Sequence, residues 1–288
     1  MNNNIAILGG DSRQLYAAEY LRDKGYKVNI FACEHGKNPE NTACSSNIDE
    51  AMSSDIIILP LPVSKNGNLL NAPLASAEIR LKDIVDRISD SHLVFYGMGS
   101  QGFTRNVQAR AGYSCDYFNI EELIYKNALL TSEGIISIIL EKLPTTVYGM
   151  KAAITGYGRI GMFTAQKLIA LGADVTVFAR NELQLLKASL SGAKAKNINN
   201  LSEMSCNFDV IVNTVPSQVI DKTAVRLSRS HCVFIEAASA PYGIDSDACA
   251  LFGRSLIKAF SLPGKIAPKS AGIIIGETIF GRLSEVKK

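Results

Sequence analysis

Short runs of consecutive apolar residues, each closed by glycine, proline or a small polar residue, alternate with helical periodicity along the first 118 residues. Ile5-Ala6-Ile7-Leu8, Val28-Asn29-Ile30-Phe31, Asp55-Ile56-Ile57-Ile58-Leu59 and His92-Leu93-Val94-Phe95-Tyr96 predict strands, and 115–118 a last short one. Segments 12–24 and 78–88 predict helices. Strands alternating with helices predict a parallel sheet covered on both faces. The pattern repeats later, with strands over 151–155, 174–178, 193–197, 208–213, 232–236 and 255–259 and a helix over 159–171. Two helical patterns stand apart. One covers 119–143, is stopped by Pro144, and is long enough to pass between domains. The other, 268–283, follows the last strand of the second set and is expected to return to the first. The expected fold class is α/β, with two doubly wound parallel-sheet (Rossmann-like) domains joined by a long interdomain helix. The boundaries are 1–120 plus a returning helix at 268–288, an interdomain helix at 121–144, and a second domain at 145–267.

Composition narrows the field by exclusion. A net charge of +3 on 288 residues, with no basic run, argues against nucleic acid. The six cysteines show no metal-ligand spacing and no C-x-x-C, so reduced thiols and no metal are expected. Met1-Asn2-Asn3-Asn4 lacks a basic n-region, and the apolar runs near 56–62 and 273–275 are too short for a bilayer. A cytoplasmic protein follows as the expectation, and Lys287-Lys288 is expected to fray.

The strand at 151–155 runs straight into Gly156-Tyr157-Gly158-Arg159-Ile160-Gly161, the G-x-G-x-x-G turn that brings a pyrophosphate to a helix N-terminus. The next strand ends at Ala179-Arg180-Asn181, with no carboxylate before Glu182 for the ribose hydroxyls. Arg180 suits a 2′-phosphate, so the reading favours NADP over NAD; the plainer alternative is a solvated arginine. Thr214-Val215-Pro216 and Ala238-Ser239 follow later strands and extend the cofactor-binding set; an ordinary strand-to-helix turn is the alternative for the first of these loops.

Glu236 is either a buried structural acid or a contact for nicotinamide or substrate. Ser132 and Glu133 interrupt the long helix and complete the catalytic candidates, with a solvent-facing polar patch as their alternative. In the first domain, turns at Gly9-Gly10-Asp11-Ser12-Arg13 and Gly97-Met98-Gly99-Ser100-Gln101 can present backbone N–H groups at neighbouring strand ends. Asp11, Arg13, Gly99, Ser100, Gln101, Lys265 and Lys269 are therefore the substrate-binding candidates, with tight turns and solvated lysines as the alternative. The three histidines lie away from these loops.

Gly9-Gly10-Asp11-x-Arg13, Leu59-Pro60-Leu61-Pro62-Val63, Gly97-Met98-Gly99-Ser100-Gln101-Gly102, the turn at 155–162 and Leu262-Pro263-Gly264-Lys265-Ile266-Ala267-Pro268-Lys269-Ser270-Ala271-Gly272 together resemble the dipicolinate synthase A family. The resemblance covers nearly the whole chain. It implies a role in spore formation, in the mother cell, alongside dipicolinate synthase B, a flavoprotein-like subunit. The implied reaction converts 4-hydroxy-tetrahydrodipicolinate, or its dehydrated form, to dipicolinate with NADP. The implied partners are dipicolinate synthase B and a small dicarboxylate, and a homo-oligomer is also expected. The sequence departs from the family pattern at Glu236-Ala237-Ala238-Ser239-Ala240-Pro241-Tyr242-Gly243, where Asp-Leu-Ala-Ser-x-Pro-Gly-Gly is expected; Tyr242 replaces a glycine. Two alternatives stay open. One is another two-domain NADP-dependent hydroxy- or amino-acid dehydrogenase. The other is a non-catalytic NADP-binding regulatory subunit.

Overall fold

The structure, a computed structural model, describes residues 3–286; Lys287-Lys288 lie outside them. The chain divides into two compact units. Unit 1 runs up to Asn127 and resumes at Pro263; unit 2 is Ala128–Leu262.

In unit 1, β1 (Asn4–Leu8) leads to α1 (Ser12–Asp23), β2 (Lys27–Phe31), β3 (Ala43–Cys44) and α2 (Ile48–Ala51). Then come β4 (Ile56–Ile58), α3 (Leu81–Val85), β5 (Leu93–Tyr96), α4 (Gln101–Gln108) and β6 (Tyr113–Asp116). The helix α5 (Glu121–Lys142) contains the unit boundary. Unit 2 holds β7 (Lys151–Thr155), α6 (Arg159–Ala170), β8 (Asp174–Ala179), α7 (Glu182–Leu190), β9 (Lys194–Asn197) and α8 (Leu201–Met204). It continues with β10 (Val210–Asn213), α9 (Lys222–Leu227), β11 (Val233–Glu236), α10 (Ser246–Leu251) and β12 (Ser255–Lys258). The short α11 (Leu262–Ile266) and the long α12 (Pro268–Val286) close the chain.

Both sheets are six-stranded and wholly parallel, ordered β3-β2-β1-β4-β5-β6 and β9-β8-β7-β10-β11-β12. Each is the doubly wound 3-2-1-4-5-6 order, with its switch point between the first and fourth strands. The expected fold class is the observed one. The central strands are buried on both faces, which is why they read as unbroken apolar runs.

The helix α12 packs on α1. Its Gly272 and Gly276 permit this, because a Cβ there would meet Tyr16 Cβ at 2.5 Å and Tyr20 Cδ1 at 2.8 Å. The sequence missed a further feature of α5: by length and composition it could cross a membrane, although polar residues break its apolar run. Leu123 packs in the core of unit 1 and Ile135, Ile136 and Ile139 in that of unit 2, as in a core helix.

Three local expectations change. The helix expected at 78–88 spans only Leu81–Val85, because Arg80 is bridged to Leu69 in extended conformation. The strand expected at 115–118 is Tyr113–Asp116, followed by a single tight turn at Tyr117–Asn119 that the Asp116 side chain caps. The edge strand Ala43–Cys44 carried no apolar signal, being short and exposed.

Candidate functional site

The turn after β7 uses its three glycines differently. Gly156 has φ +83, where a side chain is strained. Its N–H donates to the Phe178 carbonyl of β8 at 2.8 Å. A Cβ there would lie 2.8 Å from Val215 Cγ2 and 2.9 Å from Thr214 Oγ1. On Gly161 a Cβ would come closer than 3.0 Å to the Gly156 carbonyl oxygen, a separation real Cβ atoms essentially never show. Gly158 is the opposite case, since nothing lies within 4 Å of its Cβ position. Gly158 also caps α6 without a side chain to take up the first N–H groups. A helix N-terminus with no side-chain cap and open space before it is an anion site.

A cavity of about 310 Å³ opens beside this turn. It gathers Gly156, Tyr157 and Gly158 with Arg180, Asn181 and Gln184 from the end of β8 and the start of α7, and with Thr214, Val215 and Pro216 after β10. Three segments that the sequence assigned to a cofactor are thus brought together. Arg180 is exposed on the cavity wall and has no ion pair among the described residues. Asn181 caps α7, its Oδ1 accepting the Gln184 N–H at 3.0 Å. Tyr157 turns its ring into the core and shares a 2.6 Å hydrogen bond with Ser191 Oγ. Arg159 is exposed on the first turn of α6, and Ile160 packs half-buried against the core. Ala238 and Ser239 do not line this cavity; they belong to the loop after β11.

The catalytic candidates are not gathered, and each has a structural partner. Ser132 is buried and donates to the Leu129 carbonyl at 2.6 Å, one turn back in α5. Glu133 pairs with Lys167 at 3.2 Å. Glu236, only 2% exposed, accepts Asn213 Nδ2 at 2.6 Å and the Ala238 N–H at 3.0 Å on one oxygen. Its other oxygen accepts the N–H groups of Gly243 at 2.8 Å and Ile244 at 3.0 Å. The geometry makes it a buried acid that holds a loop. Tyr242 sits in that loop at φ +66, a backbone region suited to glycine, with its ring stacked on Phe260 at 5.1 Å.

The substrate-binding candidates of unit 1 are likewise dispersed. β4 lies between β1 and β5, so the two glycine turns are not at neighbouring strand ends as expected; they are roughly 10 Å apart. Their donors are also engaged. Asp11 caps α1 and takes Arg13 Nε at 2.9 Å and one Nη at 2.9 Å, while the same Nη donates to the Leu61 carbonyl at 2.7 Å. Arg13 is therefore nearly buried and already neutralised. Asp116 accepts the N–H groups of Met98 at 3.0 Å and Gly99 at 3.1 Å. Ser100 caps α4, and the exposed Gln101 begins it. In both turns a carboxylate of the chain fills the place read as an anion site. Lys265 and Lys269 are exposed, without ion pairs among the described residues. Lys269 lines a separate concavity of about 530 Å³ with Lys37 and Tyr16. Sequence reasoning missed Asp116 because its role is a tertiary contact. It also missed the row Thr155–Asn213–Glu236, for which the signal was a polar residue ending each of three apolar strands. His92 is buried, its two ring nitrogens bonded to the Met52 carbonyl and the Ser89 N–H, and is structural.

Comparison with known proteins agrees with this geometry. Residues 4–118 match the N-terminal domain of dipicolinate synthase A. Residues 139–250 match the NAD-binding domain of D-isomer-specific 2-hydroxyacid dehydrogenases. Dipicolinate synthase A of Bacillus subtilis (strain 168) is 29% identical over 287 residues, covering 98% of this chain and 96% of that protein. The crystal structure of dipicolinate synthase A from Bacillus halodurans superposes with a TM-score of 0.89 at 25% identity, over 98% of each chain. That of its counterpart from Bacillus subtilis gives 0.87 at 26% identity, over 99% of this chain and 96% of that one. The open cradle at Gly158, the uncapped α6 and the adjoining cavity fit a nicotinamide dinucleotide. The chain is therefore similar over its whole length to dipicolinate synthase A, with that family's N-terminal domain joined to a dehydrogenase-type nucleotide-binding domain.

Proposed function

We propose that this chain is the NADP-dependent oxidoreductase component of a dipicolinate-forming enzyme. It oxidises dihydrodipicolinate, directly or after 4-hydroxy-tetrahydrodipicolinate loses water, to pyridine-2,6-dicarboxylate. The observation that carries this reading is the meeting of the open glycine turn and of Arg180, which has no ion pair among the described residues, in one cavity. The backbone at 156–161 holds the pyrophosphate, with Thr214, Val215 and Pro216 beside it. Arg180 would pair with the 2′-phosphate, and Asn181 keeps the start of α7 in place through its cap.

A nicotinamide dinucleotide bound here would supply a hydride acceptor. The substrate loses that hydride and one proton, and its ring becomes aromatic. Aromatisation supplies driving force, so the chain's task is alignment and the proton can leave to water. This agrees with the engagement of Ser132, Glu133 and Glu236 in other bonds. Unit 1 is the substrate- and partner-side unit. Lys265 and Lys269 provide cations for the two carboxylates. Dipicolinate synthase B is the partner in a complex acting in the cytoplasm of the sporulating mother cell, and the chain assembles with further copies of itself.

The test is to supply purified chain, with and without dipicolinate synthase B, with NADP⁺ or NAD⁺ and freshly generated substrate. NADPH and dipicolinate should form together, with NADP⁺ preferred. Dipicolinate formed by the flavoprotein-like partner alone, with no reduction of either nucleotide, would sink the catalytic reading. A regulatory, non-catalytic role is favoured by one observation, that every catalytic candidate is structurally engaged. It predicts that Gly158→Asp abolishes activity of the complex although no nucleotide is reduced as dipicolinate forms, whereas the catalytic reading predicts reduced nucleotide and dipicolinate in equal amounts.

A further inference from the structure

Thr155, Asn213 and Glu236 are the last residues of β7, β10 and β11. The register places Asn213 opposite Thr155 on one side and opposite Glu236 on the other. All three are buried at the carboxyl edge of the sheet. A row of buried polar side chains must be satisfied internally, and this one is. Thr155 Oγ1 donates to Asn213 Oδ1 at 2.5 Å, and Asn213 Nδ2 donates to Glu236 Oε1 at 2.6 Å.

The row reaches outward into two loops. Asn213 brackets Val215, accepting its N–H at 3.1 Å and donating to its carbonyl at 3.0 Å. Glu236 gathers the N–H groups of Ala238, Gly243 and Ile244. The loops also press on one another: a Cβ on Gly243 would lie 2.7 Å from the Val215 carbonyl and 2.8 Å from that of Ser217. Thr214 donates to the Thr155 carbonyl at 2.7 Å, and both Thr214 and Val215 close against Gly156. The position of the glycine turn, of 214–217 and of 238–244 is thus referred to one hydrogen-bonded row. Glu236 has four donors and no cation among the described residues.

Resting on the dinucleotide reading above, we propose that Thr155, Asn213 and Glu236 form a positioning row for the cofactor site. Glu236 acts through the two loops and the glycine turn, not on the reacting atoms. Each residue type is specified by its bonds. Asn213 accepts twice through its oxygen and donates twice through its nitrogen, which only a carboxamide can do. Glu236 is acceptor-only; a glutamine there would turn an –NH₂ group toward two backbone or side-chain donors whichever way it lay.

The experiment uses the full chain. NADP⁺ affinity is measured by calorimetry, and hydrogen exchange is followed at 214–217 and 238–244. The wild type is compared with Thr155→Val, Thr155→Ser and Glu236→Gln, each first checked for cooperative melting. Failure of the wild type to bind NADP⁺ would count against the dinucleotide reading; the row is judged on the variants relative to wild type. The expected result is about a tenfold loss of affinity in Thr155→Val and Glu236→Gln, and near wild-type affinity in Thr155→Ser, which keeps the hydroxyl. Exchange should rise in both loops of Thr155→Val, although that residue has no hydrogen bond to Gly243 or Ile244 among the described residues. If Thr155→Val and Glu236→Gln melt lower yet bind NADP⁺ within about twofold of wild type, the row is core structure only and the proposal is overturned. Faster exchange confined to one loop would overturn the coupling. Should Glu236→Gln fail to fold, the contrast between valine and serine at 155 decides alone.

Discussion

Replacing Gly158 by alanine should separate ligand binding from folding. Gly158 has φ −76 and ψ −169, which alanine adopts without strain. Its Cβ would meet nothing within 4 Å. The cost to the fold is that of alanine against glycine at a helix N-cap, about 1 kcal/mol or less, a melting shift of roughly 4 °C at most. The methyl group would occupy the space a phosphate must enter to reach the first N–H groups of α6. Backing away would weaken two charge-assisted hydrogen bonds worth about 1.5–3 kcal/mol each, so NADP⁺ affinity should fall roughly 100-fold or more. Gly161→Ala is the control. Its Cβ would collide with the Gly156 carbonyl, which is backbone and cannot swing aside, so overpacking should cost about 1–3 kcal/mol as well as affinity. Thermal melts and calorimetric titration of both variants decide. Gly158→Ala binding NADP⁺ within about threefold of wild type would mean that no phosphate enters the space beside residue 158.

Three further outcomes are expected. Arg180→Ser should weaken NADP⁺ about 10- to 100-fold and leave NAD⁺ nearly unchanged, since only the former carries the 2′-phosphate; equal losses in titrations of both would contradict the assignment. Tyr242→Ala should be about 1 kcal/mol less stable in urea melts than Tyr242→Gly, because both lose the stack on Phe260 and only glycine relieves φ +66. Burial raises the Asp209 carboxyl, but the Lys151 N–H, His231 and Arg229 lower it by more, leaving it below the usual aspartate value. A group lowered on folding stabilises the fold above its unfolded pKa and loses that contribution as the pH falls through the folded one, so Asp209→Asn should flatten the acid limb of stability below about pH 4.

Much of the fold was legible because parallel strands buried on both faces have no alternation to blur them: Ile5–Leu8 and Ala152–Ile154 stand out as unbroken apolar runs. The two-residue edge strand at Ala43 and the truncated helix at Leu81 did not, since their conformation is set by neighbours in space. The cofactor half of the site was legible for a related reason. A tight turn at φ +83 and a carbon against a carbonyl oxygen leave glycine as the fitting residue at 156 and 161. The substrate half was not. Arg13 and the turn at 97–102 look like anion binders until Asp11 and Asp116 are found already seated on them, and that pairing depends on contacts up to eighteen residues apart. Glu236 read equally as a buried acid or as a contact for nicotinamide or substrate until its four donors were in view.

The proposed function has this chain bind NADP(H) in unit 2 and use it to form dipicolinate. The most direct measurement mixes chain, dipicolinate synthase B, NADP⁺ and freshly generated dihydrodipicolinate and follows NADPH and dipicolinate in the same cuvette. The account predicts that the two appear in equal amounts and that both are lost with Gly158→Ala. Dipicolinate accumulating without NADPH, or at the same rate with Gly158→Ala, would contradict it.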